Sequence, residues 1–282
     1  MPTQLPSRER PHALVVDGTG LFTKCFFGCI SDGKREETPV AFAQSLAKTL
    51  RARQPTHVAI ALDPRGKTFR EILYDGYKAS RPPKPDGFPR VEYAIETLLR
   101  DVGAPVFVRS GFEADDIAAS ATSTAVANEL PVVITSDDKD LEQLVRAEPL
   151  VVIWRNRETV IGVEEVKKRR GVPPELFAYA LALSGDEHDD IPGVPGIGPA
   201  TAARILLSEH GIDKIMREPW WCPVKHVRQA LRSHREQVAL YLQLTKLRAD
   251  ALTIDIEQMR VDPLRLAERL LRAARPIDWH RD

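Results

Sequence analysis

The chain has 282 residues, 43% of them hydrophobic and 28% charged, and its 40 basic side chains balance its 40 acidic ones. This composition excludes a disordered chain, and the length is sufficient for one large domain or for one domain with an appendage. Three cysteines without a Cys-x-x-Cys pair argue against a disulfide framework and against a zinc site.

The sequence contains no apolar run of the roughly 20 residues that a membrane helix requires. Residues 1–12 lack the apolar stretch of a signal peptide. We therefore expect a soluble protein of the cytoplasm that has no membrane partner.

The charges are segregated along the chain. Residues 113 to 190 carry 17 acidic and 8 basic side chains, a net charge of −9, which leaves +9 on the rest of the chain. The acidic segment suits bound cations, and the flanking basic segments suit a polyanion. An acidic solvated face beside ordinary basic helices would account for the same counts.

Short β-rich runs alternate with helical runs, a pattern typical of an α/β protein with a mostly parallel sheet flanked by helices. The periodicity predicts strands over residues 12–16, 57–62, 105–108, 132–135 and 150–154. It predicts helices over residues 40–53, 90–102 and 113–127.

Carboxylates follow three of the predicted strands. Asp17 follows the first, Asp63 the second, and Asp137 and Asp138 lie just past the fourth. Ligands of an open α/β sheet bind outside the carboxyl ends of its strands, so we expect these side chains to converge. Converging carboxylates repel one another unless a cation neutralises them.

Two further acidic groups lie outside the strands. Glu113, Asp115 and Asp116 open a predicted helix, and Asp186 and Asp189 belong to the segment SGDEHDDIPG. The first group could simply complement the helix dipole. Together with the strand-end aspartates, both groups indicate divalent cations, because two such ions about 4 Å apart can activate water and stabilise the leaving oxygen of a phosphodiester.

A basic segment follows the second strand. Its cations and aromatic residues are Arg65, Lys67, Arg70, Lys78, Arg81 and Lys84, with Tyr74 and Tyr77 between them. Cations can hold phosphates and aromatic rings can stack on unpaired bases, so this segment suits single-stranded nucleic acid. A solvated amphipathic helix is the alternative. The run Pro82-Pro83-Lys84-Pro85 cannot continue a helix, so we expect the segment to project and move.

Glycines at 193, 196 and 198 form the run GVPGIG before a helix-like segment. Glycines allow close backbone approach, and the amides of a hairpin and a helix start can hold a phosphate without reading bases. We therefore expect Gly193, Gly196 and Gly198 to place a duplex backbone next to the acidic groups.

In this combination the sequence resembles the 5′-nuclease superfamily, which comprises bacterial flap endonucleases and the 5′-to-3′ exonuclease domain of bacterial DNA polymerase I. The resemblance extends from about residue 12 to at least residue 248. It is carried by VVDGTGLFTK, ALDPRGKTFR, YDGYKASRPPKP, GFEADDIAAS, ITSDDKDLEQLV and ALSGDEHDDIPGVPGIGPATAARIL, which stand in the family's order.

The resemblance implies a PIN-like α/β nuclease core over residues 12–185, with a helical arch over about 65–92. It implies a helical subdomain over 186–282 with a helix-hairpin motif over about 186–210. The implied metal-site carboxylates are Asp17, Asp63, Glu113, Asp115, Asp116, Asp138, Asp140, Asp186 and Asp189. They would bind two or more divalent cations, Mg²⁺ or Mn²⁺, some of them through water.

The resemblance also implies roles for basic, aromatic and hairpin residues. Lys78 would contact the scissile phosphate from the base of the arch, Arg81 would be its neighbouring arch cation, and Arg70 would lie near the phosphate. Tyr77, with Tyr74 beside it, would stack on the frayed terminal base. In relatives, backbone carbonyls of the hairpin can hold a K⁺ ion.

Three positions depart from the family pattern. Lys24, expected at the phosphate, stands where the family usually has arginine and so lacks the bidentate fork. Asp137 adds a charge beside the metal site and is not counted as a ligand. Ala200 stands where relatives often have lysine, so the grip on the duplex would be weaker or would rest on Arg204.

These features predict a standalone, metal-dependent 5′-to-3′ exonuclease and flap endonuclease that acts in DNA replication and repair. Expected substrates are DNAs with 5′ flaps, nicks or free 5′ ends, including RNA-primed strands. We expect a monomer associated with the nucleoid. A PIN-like ribonuclease would share the strand-end carboxylates without explaining the hairpin and the arch, whereas a non-catalytic junction-binding protein would be expected to have lost carboxylates.

Overall fold

A six-stranded sheet forms the centre of the molecule in the computed structural model, which describes residues 4–278. The sheet has the order β3-β2-β1-β4-β5-β6, in which β6 alone pairs antiparallel. Its strands are β1 (Ala13–Asp17), β2 (His57–Ala61), β3 (Val106–Phe107), β4 (Val132–Thr135), β5 (Val151–Arg155) and β6 (Thr159–Ile161). The predicted mostly parallel α/β fold is confirmed.

The helices flank the sheet and form most of the chain after β6. They are α1 (Gly18–Ser31), α2 (Thr38–Arg53), α3 (Phe69–Leu73), α4 (Phe88–Asp101), α5 (Ala114–Ala127), α6 (Val163–Arg170), α7 (Phe177–Ser184), α8 (Pro199–Leu206), α9 (Gly211–Arg217), α10 (Arg228–Ser233), α11 (Arg235–Thr245) and α12 (Pro263–Ala273). The predicted strands and helices occur with their ends displaced by at most two residues. The sequence did not predict β6, which is too short for its periodicity to be recognised.

The sheet is covered on both faces, as a parallel sheet requires. In β1, Leu14 and Val16 enter one apolar cluster with residues of α1, α2 and α4, whereas Ala13 and Val15 enter another with residues of α5. This alternation follows from the two-residue period of a strand. Among residues 4–278, no helix has both the length and the apolar character needed to cross a bilayer.

A separate apolar cluster lies in the helices that follow β6. It includes Val194 and Ile197 of the glycine hairpin and Leu231 of α10. The last helix, α12, instead contributes Leu266 and Leu270 to the cluster of the sheet. The final part of the predicted 186–282 subdomain therefore packs on the α/β core, and the division after residue 185 stays a prediction.

The structure corrects the expected helical arch over residues 65–92. This segment contains only the five-residue α3 and the first turn of α4. Gly76 and the prolines at 82, 83 and 85 interrupt any longer helix. The segment does not project as a whole, because Tyr77 is 5% exposed and contacts the acidic groups.

Candidate active site

Parallel pairing brings the strand-end carboxylates to one edge of the sheet. In the register, Asp17 lies opposite Ala61 of β2, and Val16 lies opposite Thr135 of β4. Asp63 and Asp138 follow within three residues of these partners. The convergence predicted from the strand ends is therefore present in the fold.

Four carboxylates at this edge form no ion pair with any lysine or arginine of residues 4–278. We call them the open carboxylates: Asp17, Asp63, Asp115 and Asp138. Asp17 accepts hydrogen bonds from the Gly20 N–H at 2.7 Å and from the Ser136 hydroxyl at 2.7 Å. Neutral donors thus fix the Asp17 carboxylate without neutralising its charge.

Neutral backbone groups also fix two of the other open carboxylates. Asp63 accepts a hydrogen bond from the Ala114 N–H at 2.7 Å, and Asp138 accepts one from the Asp140 N–H at 2.8 Å. These contacts orient the carboxylates and leave other oxygen lone pairs free for a cation.

Burial and neighbouring negative charges raise the pKa values of Asp17, Asp63 and Asp115. Burial, together with the charges of Asp138 and Asp63, raises the pKa of Asp17 to about 6, against the opposing hydrogen bonds from Ser136 and Gly20. Burial and the charges of Asp138 and Asp17 raise the pKa of Asp115 well above its ordinary value. Burial also raises the pKa of Asp63. Such uncompensated negative charge is the electrostatic environment that a divalent cation stabilises.

Four other carboxylates have cationic partners within the chain. We call them the paired carboxylates: Glu113, Asp140, Asp186 and Asp189. Lys78 Nζ lies 2.6 Å from Glu113 Oε1. Arg81 lies 2.8 Å from Asp189 Oδ1. Lys139 Nζ lies 2.6 Å from Asp186 Oδ2 and 3.0 Å from Asp140 Oδ1.

Pairing changes the electrostatics of this second group. Burial opposes ionisation of Glu113, but Lys78 and Arg70 outweigh it and hold the pKa of Glu113 below its ordinary value. Asp140 differs, because burial and the charge of Asp138 raise its pKa to about 7 despite Lys139. Single oxygens of Asp140, Asp186 and Asp189 lie within 4.8 Å of one another, a spacing at which one cation can contact all three.

The structure corrects the expectations for Arg70 and Asp116. Asp116 is fully buried, and Arg70 holds both of its carboxylate oxygens, at 2.6 and 2.8 Å. Arg70 also donates to the Leu244 carbonyl at 2.7 Å, and it is 1% exposed. The pair therefore joins the segment of α3 to α5 and α11, and neither side chain is free for a metal ion or a phosphate.

The structure also corrects the expectation for Tyr77. Its ring is buried, and its hydroxyl lies 3.0 Å from both Glu113 Oε2 and Asp189 Oδ2, so no face is free to stack on a base. Tyr74 packs edge-to-face on Tyr241. The half-exposed Lys24 contacts Asp137 at 2.8 Å, which places it beside Asp138 but against another carboxylate.

The glycine hairpin has an inner and an outer side. Gly193, at φ +72°, is buried, and a Cβ there would lie 2.3 Å from the Gly185 nitrogen. The structure therefore corrects its expected DNA contact, because Gly193 packs the hairpin against the segment that carries Asp186. Gly196 and Gly198 are exposed, as is Arg204 on α8. Gly196, Gly198 and Arg204 therefore form the solvent-accessible outer side of the hairpin and of α8.

Sequence reasoning missed two residues of this site. Ser136 donates to Asp17, and Lys139 bridges Asp140 and Asp186. Both lie in the run SDDKD, where the carboxylates alone were counted. A hydroxyl and an ammonium group among three acidic residues could have been recognised as their partners.

Two family models cover this architecture. Residues 12–171 match the N-terminal resolvase-like domain of 5′-3′ exonuclease, and residues 172–267 match its C-terminal SAM fold. A 5′-3′ exonuclease of Aquifex aeolicus is 32% identical over 88% of this chain and 84% of its own length. The chain belongs to the 5′-3′ exonuclease family. The family resemblance predicted from the six motifs is thus confirmed.

Other relatives of this chain are longer proteins, of which it spans less than a third. DNA polymerase I of Rhizobium leguminosarum is 34% identical over 91% of this chain, which spans 26% of that polymerase. Thermostable DNA polymerase I of Thermus filiformis is 31% identical over 92% of the chain, which spans 31% of it.

Solved structures share the fold. A mutant of the T5 5′-exonuclease matches with a TM-score of 0.69 and 22% identity over 94% of this chain and all of that one. The T5 D15 flap endonuclease in a complex with DNA and metal ions matches with a TM-score of 0.70 and 19% identity, over 93% of this chain and 98% of that one.

Proposed function

We propose that this chain is a divalent-metal-dependent, structure-specific 5′ nuclease that cuts DNA at 5′ flaps, nicks and free 5′ ends during replication and repair. The observation that carries the proposal is the group of open carboxylates at the sheet edge, beside cations of the 65–92 segment. Membership of the 5′-3′ exonuclease family supports the reaction class. The T5 flap endonuclease complex supports DNA as substrate.

The donor set suits Mg²⁺ or Mn²⁺, because hard divalent ions prefer carboxylate oxygens. The open carboxylates would hold one ion, and Asp140, Asp186 and Asp189 would hold a second. When bound, such ions lower the pKa of water and stabilise the leaving oxygen of a phosphodiester. Asp116 is left out of this set because Arg70 takes both of its oxygens.

Basic side chains would bind the scissile phosphate. Lys78 and Arg81 already lie against Glu113 and Asp189, so a phosphate brought to the carboxylates meets their nitrogen atoms. Lys78 would stabilise the negative charge that develops on the reacting phosphate. Lys24, half-exposed beside Asp137, would contact a neighbouring phosphate of the same strand.

The outer side of the glycine hairpin would hold the duplex. Gly196, Gly198 and the first amides of α8 can donate to phosphate oxygens without reading bases, which suits recognition of structure rather than sequence. Arg204 adds a positive charge on the same helix. A K⁺ ion at this hairpin, an RNA-primed 5′ strand, a monomeric state and a nucleoid location stay predictions.

The test is cleavage of a 5′-labelled flap duplex with Mg²⁺ or Mn²⁺, with EDTA, and with Asp138→Asn. Asp137→Asn is the matched control, because it removes the adjacent carboxylate, which pairs with Lys24. We expect metal-dependent cutting near the flap junction that Asp138→Asn abolishes and Asp137→Asn retains. Tight flap binding without cleavage would instead indicate a junction-binding protein, and cleavage of RNA without flap cleavage would indicate a PIN-like ribonuclease.

A further inference from the structure

Lys139 lies within the acidic cluster and has no role in the function proposed above. Its ammonium group is 2.6 Å from Asp186 Oδ2 and 3.0 Å from Asp140 Oδ1, and its side chain is 23% exposed. Oxygens of these two carboxylates and of Asp189 lie within 4.8 Å of one another. The lysine thus contacts the carboxylates that a second divalent ion would share.

A divalent ion and Lys139 compete for these oxygens. Both are cations that require the same carboxylate lone pairs, and two cations a few ångströms apart repel each other strongly in a partly buried site. Asp189 does not relieve the competition, because Arg81 and Tyr77 already contact its two oxygens. An ion at Asp140 and Asp186 therefore requires the ammonium group to withdraw.

The local backbone allows such a withdrawal without unfolding the turn. Asp138 Oδ1 accepts the Asp140 N–H at 2.8 Å, and Ser136 Oγ accepts the Asp138 N–H at 2.9 Å. These bonds fix the turn on both sides of Lys139 and do not involve its side chain. A change of rotamer toward solvent is then sufficient.

We propose that Lys139 is a positioning residue that competes with the second divalent cation for Asp140 and Asp186. The open carboxylates have no such competitor, so they bind their ion first and more tightly. Lys139 keeps Asp140 and Asp186 together until the second ion replaces it. This inference rests on the proposed function, since it concerns the metal ions that the nuclease requires.

The test is Mn²⁺ titration of the full chain, with free Mn²⁺ measured by electron paramagnetic resonance and heats measured by calorimetry. Lys139→Met removes the charge and keeps an unbranched side chain that is one atom shorter, whereas Lys139→Arg retains the positive charge. Lys167→Met is the control, because it removes an exposed lysine that pairs with Glu164 at 2.9 Å, away from the acidic cluster.

We expect Lys139→Met to strengthen the weaker Mn²⁺ site about tenfold, within the range of typical coupling between two ligands. The tighter site should change little, and Lys139→Arg and Lys167→Met should resemble the wild type. An unchanged or weakened second site in Lys139→Met would overturn the inference, because a lysine that only supports the fold would not oppose the metal.

Thermal unfolding provides a second measurement. Without divalent ions Lys139→Met should unfold at a lower temperature than the wild type, and its increase in Tm on adding Mn²⁺ should be larger. Equal increases would contradict the competition. If the wild type cuts flaps and Lys139→Met gains no Mn²⁺ affinity, this inference alone fails; if the wild type neither cuts nor binds Mn²⁺, the proposed function fails with it.

Discussion

The open and the paired carboxylates lie side by side, yet the chain treats their charge in opposite ways. Neutral N–H and O–H groups donate hydrogen bonds to Asp17, Asp63 and Asp138. Asp115 belongs to the same group because it too forms no ion pair with a lysine or arginine of residues 4–278. The paired group contacts Lys78, Arg81 and Lys139. One half of the site therefore depends on an external cation for its neutralisation, whereas the other half has cations of its own.

The paired carboxylates are therefore stabilised by the chain itself, whereas the open carboxylates would be stabilised by a bound divalent ion. Cations within the chain lower the pKa of Glu113 and hold Asp186 and Asp189 in place through ion pairs. Leaving the open carboxylates uncompensated destabilises the folded chain, and a bound divalent ion would recover that stability. Single substitutions can alter one half of the site at a time.

The largest expected effect follows from removing an open carboxylate. Asp115→Asn should lower single-turnover flap cleavage by about 10²- to 10³-fold, the loss typical of removing one electrostatic group from an active site. It should also raise the Tm measured in EDTA, because Asp115 repels Asp138 and Asp17. Asp213→Asn, exposed on α9, is the control. A lower Tm together with full activity would contradict the assignment.

Breaking the buried ion pair between Arg70 and Asp116 should have the largest effect on the free energy of unfolding. Arg70→Met leaves Asp116 buried and unpaired, so we expect the free energy of unfolding to fall by about 3–5 kcal/mol. The double variant Arg70→Met with Asp116→Leu should recover most of this loss, as measured by urea denaturation. A stable Arg70→Met variant with weakened cleavage would restore the expectation that Arg70 contacts the phosphate.

Lys78 should affect cleavage more than binding. We expect Lys78→Ala to slow single-turnover cleavage about 10²-fold, because it removes a charge directed at the reacting phosphate. The Kd for flap DNA, measured in EDTA by fluorescence anisotropy, should change far less. Lys67→Ala, an exposed lysine of the same segment, is the control. Equal losses of cleavage and binding would reject the role of Lys78.

The smallest effect is a pH dependence of stability. The pKa of Asp17 is raised to about 6 from an ordinary 3.8, so the folded chain binds more protons than the unfolded one between these values. Without divalent ions, this carboxylate makes stability fall as the pH rises from about 4 to about 6. Mg²⁺ binds the ionised form, so its effect on Tm should be larger at pH 7.5 than at pH 5. An equal increase in Tm at both pH values would contradict the assignment of Asp17 to the metal site.

The strand-end aspartates could be predicted from the sequence, because a carboxylate after a buried parallel strand has only one edge of the sheet to occupy. The partners of the paired carboxylates could not be predicted from the sequence. Lys78 lies 35 residues from Glu113, and Tyr77 lies 112 residues from Asp189. Such pairings depend on how the 65–92 segment folds back, and the sequence favoured a projecting arch.

The role of Arg70 also could not be predicted from the sequence, because its partner is distant along the chain. A basic residue beside aromatic ones predicts a phosphate contact, yet burial decides its role, and no local pattern revealed that Asp116 lies beneath it. Gly193 was recognised as part of a hairpin, but which glycines face outward depends on contacts with residues 184 and 185.

The most direct test of the division between open and paired carboxylates is a crystal structure of the protein grown with Mn²⁺, in which anomalous scattering locates the metal. We predict the strongest peak among the open carboxylates, within coordinating distance of Asp115 and Asp138. A peak confined to Asp140 and Asp186, with none among the open carboxylates, would contradict this account.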